Sequence, residues 1–223
     1  MGGVPPPVLA PPVLALAASI GPVLETLSIV GIFVFAASGA LAAARLKQTI
    51  VTFAFFALVT GVGGGTVRDL LIGAPVFWVH DAVPAITCMA AALLVWMTPR
   101  RWWSEHALDW LDATGLAAFA VFGAAKAMAI GVPPFVAAMM GVVTGCVGGI
   151  MRDLLAGEPS ILLRPELYVT AAAVASGLFV ALRWGGLDVP VAGVIAALLG
   201  FLLRAVAIRR GLGLPTYRDV TPE

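Results

Sequence analysis

Seven ionisable residues fall within, or at the ends of, apolar segments: Arg68, Asp69, Asp109, Asp112, Lys126, Arg152 and Asp153. Charges in such surroundings are costly and by default mark a path for ions or solutes. Both Arg-Asp pairs follow a glycine cluster, Gly61 with Gly63-Gly64-Gly65 in one case and Gly145 with Gly148-Gly149 in the other. Glycine is less favourable than alanine in a helix interior by about 1 kcal/mol, so each cluster is expected to loosen or break its helix. Backbone opened in this way can turn its carbonyl oxygens toward a cavity, where they replace part of a cation's hydration shell. The chemistry that suits these residues is therefore passage of an ion or small solute. Catalysis is not indicated: no Ser-His-Asp or metal-ligand spacing occurs, and His80 and His106 lie in or near loops. The glycine run lacks the Lys-Ser/Thr ending of a phosphate loop. No metal, cofactor or nucleic-acid site is expected.

The two clusters belong to an internal repeat. Residues 144–159 repeat residues 60–75 at an offset of 84, with 10 of 16 positions identical, Arg-Asp-Leu-Leu included. Without a gap, Gly31, Phe35, Gly39 and Ala40 match Gly115, Phe119, Gly123 and Ala124, and Glu25 matches Asp109.

Composition places the repeat in a membrane. The 223 residues are 61% hydrophobic and 11% charged, with mean hydropathy +1.04, against about 25% charged in soluble domains. Cys88 and Cys146 sit in apolar segments and read as small buried hydrophobes. Residues 1–21, rich in Pro and without Lys or Arg, read as a flexible tail, with a peripheral helix from Val13 as the alternative. Seven segments are candidates to cross a bilayer, for which roughly 20 helical residues are needed: 22–44, 49–72, 83–98, 107–130, 134–156, 166–183 and 189–208, the third and sixth being short. They form one expected domain, 22–208, comprising repeat one (22–98), repeat two (107–183) and a seventh helix (189–208). Residues 209–223 are a second tail.

Lys and Arg concentrate in alternate loops: Arg45 and Lys47, Arg100 and Arg101, Arg164, and Arg209 with Arg210 and Arg218. The positive-inside rule then places the N-terminus outside and the C-terminus in the cytoplasm. Units of three spans are odd-numbered, so the second repeat is inverted relative to the first, an arrangement that puts a site at the midplane. Depth along the spans sets Lys126 with Asp69 on the outer side of the glycine level and Asp112 with Arg152 on the inner side. Asp112 and Lys126 are four turns apart and share a helix face. These layers either line vestibules or lock the repeats together. Symmetry is broken there, with Ser28 and Ala42 at the positions matching Asp112 and Lys126. Ser38, Thr60 and Thr144 add hydroxyl oxygens.

The motifs Gly-Gly-Gly-Thr-Val-Arg-Asp (63–69) and Gly-Gly-Ile-Met-Arg-Asp (148–153), on two three-helix repeats plus a seventh helix, resemble the bacterial branch of the TRIC (trimeric intracellular cation) channels. Bacterial sequences of this type are also called glycine-transporter-domain proteins. The Lys-Glu-Val motif of the animal branch is missing from the second span, so the lipid or calcium regulation of that branch is not carried over. The resemblance implies a homotrimer in the inner membrane and a hydrated, potassium-permeable pore in each protomer. It also implies kinks in spans two and five at Gly63–Gly65 and Gly148-Gly149. The expected protein is thus an all-α, seven-span monovalent cation channel, not an enzyme. Its pore-lining or gating candidates are Gly63, Gly64, Gly65, Gly148, Gly149, Arg68, Asp69, Arg152, Asp153, Lys126, Asp112, Ser38, Thr60 and Thr144. A secondary transporter of a small neutral solute such as glycine is the alternative. A scaffold role leaves the paired central glycines and intramembrane charges without a purpose. Leucine at Gly64 or Gly148 is expected, on the pore reading, to stop flux while leaving assembly intact.

Overall fold

The computed structural model describes residues 21–104 and 106–215. The expected tail over 1–21 and the last eight residues of the C-terminal tail, Arg218 included, lie almost wholly outside the described residues. Seven α-helices follow one another: α1 Gly21–Arg45, α2 Ile50–Leu71, α3 Ala82–Met97, α4 Ala107–Ala129, α5 Pro134–Ala156, α6 Tyr168–Trp184 and α7 Val189–Arg210. Five of them are long and apolar enough to cross a membrane, while α3 and α6 are shorter apolar helices. Among the described residues the only β-pairing is a single antiparallel bridge between Glu166 and Gly213.

Local sequence sets the helix ends. The Thr49 hydroxyl accepts from the Thr52 N–H at the start of α2, and Asp81 accepts from the Val83 N–H at 3.0 Å at the start of α3. Each side-chain cap satisfies a donor that the first turn leaves unpaired. Gly157 (φ 68°) and Gly211 (φ 62°) take the left-handed conformation that closes α5 and α7, the usual work of glycine there.

α2 and α5 run unbroken through their glycine clusters, which corrects the expected loosening or unwinding. Losing backbone hydrogen bonds in hydrocarbon costs several kcal/mol per group, more than the roughly 1 kcal/mol that a glycine forfeits in a helix. The helical ladder therefore survives, and the glycines act by proximity. A Cβ on Gly64 would fall on the Thr144 carbonyl oxygen, and one on Gly148 would lie 2.5 Å from the Thr60 carbonyl oxygen. The same exchange links α1 and α4: Gly31 faces the Phe119 ring, Gly115 faces the Phe35 ring, and the two rings sit 5.2 Å apart. Since 144 and 148 are the counterparts of 60 and 64, the contacts are reciprocal, as a two-fold relation makes them. Residue numbers rise along one helix as they fall along its mate, so α1/α4 and α2/α5 are antiparallel pairs. α7 packs on α6 and α4, outside this exchange.

Candidate functional site

Two charged layers flank the α2–α5 crossing. In the first, Asp69 is fully buried. Its Oδ1 accepts from Arg68 Nε at 2.9 Å, and its Oδ2 accepts from Lys126 Nζ and from the Phe77 backbone N–H, each at 3.0 Å. The Arg68 guanidinium lies 5.3 Å from the Phe122 ring centre and 5.8 Å from that of Phe77, over which Lys126 also sits. Two cations thus share one carboxylate against aromatic faces. In the second layer Arg152 is the shared group. Its Nη1 donates to Asp112 Oδ1 at 2.5 Å and to Ser38 Oγ at 3.2 Å, while Nε and Nη2 donate to Asp153 Oδ1. Asp153 Oδ2 accepts from the Ile161 N–H at 2.8 Å, the counterpart of the Asp69–Phe77 bond, since 77 and 161 differ by the repeat offset. A cation lies between two carboxylates here, the converse of the first layer.

The expected partners, Lys126 with Asp69 and Asp112 with Arg152, are therefore in direct contact. Each buried charge meets at least one opposite charge, which offsets part of the cost of burying it, while the first layer keeps one cation in excess and the second one carboxylate. The second layer borders a cavity of about 130 Å³ whose rim carries Arg45, Asp109, Glu158 and Arg164 beside Arg152 and Asp153. In the first layer the Lys126 side chain is 21% exposed while Asp69 is sealed.

Between the layers sit the remaining candidates. Thr60 and Thr144 are fully buried, and Thr144 Oγ1 donates to the Met140 carbonyl at 2.6 Å. The consecutive glycines face different neighbours. Gly63 abuts Met151 Sδ and Gly65 the Phe77 ring; Gly149 leaves room for the Tyr168 hydroxyl and Asp112 Oδ1. A helix advances about 100° per residue, so a helix enclosed on several sides needs small residues in succession. That explains a run which packing against one partner would leave unexplained.

Three participants escaped the sequence reading. Arg204 of α7 is 2% exposed and donates to Glu166 Oε2 at 2.6 Å. Its guanidinium lies 5.3 Å from the ring centre of Tyr168, a buried residue whose hydroxyl is beside Asp112. An arginine inside the apolar run 189–208 was the available signal, but α7 has no repeat counterpart to draw attention to it.

A chain with 40% identity to this one fits this arrangement: the TRIC trimeric intracellular cation channel orthologue from Rhodobacter sphaeroides superposes with a TM-score of 0.80, over 86% of this chain and 100% of that one. The chain belongs to the bacterial TRIC family. A prokaryotic TRIC channel crystallised in 0.5 M KCl gives a TM-score of 0.77 at 26% identity, over 86% of this chain and 98% of its own. The sequence profile described as "Glycine transporter" matches twice, at residues 25–100 and 109–184, again separated by 84. A UPF0126 membrane protein of Vibrio cholerae is 42% identical over 198 residues, 84% of this chain and 80% of that protein. The UPF0126 inner membrane protein YadS of Escherichia coli K12 is 40% identical over 197 residues, 86% and 94% of the two chains. The solved TRIC neighbours are channels, not enzymes.

Proposed function

We propose that this TRIC protein conducts monovalent cations, potassium first, through a hydrated path inside each protomer of a homotrimer in the bacterial inner membrane. The observation that carries the reading is the correspondence over the whole length of the Rhodobacter cation channel. The paired charged layers give the reading a physical location. A path along α1, α2, α4 and α5 would pass Lys126 and Asp69, the Gly64/Thr144 and Gly148/Thr60 crossing, and then Ser38, Asp112 and Arg152. At the crossing the two backbones approach closely, and on this reading the conformation is the closed one. A bend of α2 and α5 about their glycines, without loss of the helical ladder, would part them. Residues 22–208 act as the conducting unit, with the C-terminus in the cytoplasm.

A second reading, carriage of a neutral solute, has behind it only the name of the matching profile, and the cation-channel structures do not favour it. Purified protein in a planar bilayer with a potassium gradient separates the two. Discrete unitary currents that reverse near the potassium potential are expected. Saturable glycine exchange in proteoliposomes, with no unitary current, would replace the channel by a carrier.

A further inference from the structure

The inner charged layer and α7 share an asymmetry. Asp112, Tyr168 and Arg204 lie beside one another, and the first repeat has no equivalent of them. Ser28 and Pro84 stand at the positions matching Asp112 and Tyr168, and α7 lies outside both repeats. All three residues are buried. Gly149 leaves room for the Tyr168 hydroxyl and Asp112 Oδ1 together. The centre of the Tyr168 ring is 5.3 Å from the Arg204 guanidinium. Arg204 is near enough to act electrostatically on both Asp112 and the Cys146 thiol. A tyrosine suits the middle place, because its ring face attracts a cation while its hydroxyl can meet an anion.

Arg204 is bonded unlike the arginine of the layer itself. Arg152 donates through Nε, Nη1 and Nη2 to Asp153, Asp112 and Ser38. Arg204 donates through Nη2 to Glu166, and its Nε has no hydrogen-bond partner among the described residues; nor do Asp112 Oδ2 and Tyr168 Oη. A guanidinium buried only to dock a helix would fill its donors. One that leaves a donor open, at the cost of burial in a membrane, contributes chiefly its charge. That charge has a use here. Arg152 touches two carboxylates, Asp112 and Asp153, and offsets one of them. Arg204 offsets the other from behind. Glu166, its side chain 36% exposed, holds Arg204 from the water side, where the field of the glutamate is screened.

We infer that Arg204, away from the path, sets how strongly the inner layer attracts a permeating monovalent cation, by offsetting Asp112 across Tyr168. The inference rests on the reading that cations pass Asp112. Removing the charge of Arg204 strengthens the pull of the layer. Removing that of Glu166 leaves the arginine uncompensated and weakens the pull. Inside low-dielectric walls such a charge acts over distances at which water would screen it.

The test uses full-length protein in a planar bilayer. The readouts are unitary conductance at about 0.1 M KCl and reversal potential in a KCl gradient. Arg204→Gln is expected to raise the conductance about threefold, less than the tenfold or more that a whole charged cleft brings to a rate. It should also move the reversal potential toward that of potassium. Glu166→Gln should move both readouts the other way. Arg204→Lys keeps the charge and should conduct as the parent does. Arg209→Gln, an exposed charge in the last turn of α7, should do so too. Loosened docking of α7 has one sign, so shifts in the same direction in Arg204→Gln and Glu166→Gln overturn the assignment and leave the pair as an anchor. Unmoved currents in both variants overturn it as well, as does an Arg204→Lys that behaves like Arg204→Gln. An equal shift in Arg209→Gln replaces it by general surface charge. If Arg204→Gln fails to assemble, Glu166→Gln and Arg204→Lys decide, and unchanged conductance in Glu166→Gln overturns the inference. A parent without unitary currents removes the channel reading and this inference with it; a conducting parent with unmoved variants removes the inference alone.

Discussion

Gly64 and Gly177 are both helical, but their surroundings are opposite. A Cβ at Gly64 meets backbone of α5, whereas one at Gly177 meets nothing within 4 Å. Gly64→Ala and Gly148→Ala are therefore expected to destabilise by about 1–3 kcal/mol, the usual cost of overpacking. Gly177→Ala should be neutral or gain up to about 1 kcal/mol of helix preference. Melting followed by size-exclusion chromatography measures all three, and equal behaviour would remove close approach as the role of the crossing. For Gly64→Leu the geometry reverses the order expected from sequence, with assembly failing before flux. The charges form a second series. Arg152→Met strands Asp112 and Asp153 together, and loss of one side of a buried pair costs about 3–5 kcal/mol. Lys126→Met should cost clearly less, because Arg68 still holds Asp69 and the lysine is part exposed. Equal losses would mean that burial does not decide these energies. The pairings themselves were legible, because residue spacing gives depth and face. Which pair is sealed was not, since that depends on the loops after α2 and α5 that donate to Asp69 and Asp153.

At the level of elements, apolar run length and turn residues placed every helix within two residues of its observed ends. Propensity misled at the glycine clusters because it prices a helix in water, where opened backbone has other partners. It was silent on α7, whose docking depends on Arg204 reaching Glu166 across 38 positions. That ion pair lies beside the bridge from Glu166 to Gly213 and the hydrogen bond from the Leu214 N–H to the Pro165 carbonyl. Glu166→Gln should accordingly speed hydrogen exchange at 164–168 and in the last turn of α7 through Leu214, leaving the α2–α5 crossing as protected as before. A uniform rise across the chain would show that α7 is not an independently anchored element.

For the molecule as a whole, the basic loops argue for one insertion direction. A C-terminal green fluorescent protein fusion should fluoresce in a bacterial cytoplasm and an alkaline phosphatase fusion should be inactive; the opposite pair would invert the proposed topology. The reciprocal contacts have a further consequence. Two copies of the first repeat could reproduce them only by entering the membrane in opposite directions. Arg45, Lys47, Arg100 and Arg101 forbid that, since they steer every copy the same way. The first half expressed by itself is thus left with no mate of the right handedness. Residues 1–104 and 105–223 made as two separate chains in one cell should find each other and co-purify, while either chain alone is degraded. On this view covalent fusion releases each half from having to insert both ways, and the unequal Asp112 and Lys126 are substitutions that only a fused, one-way chain can keep.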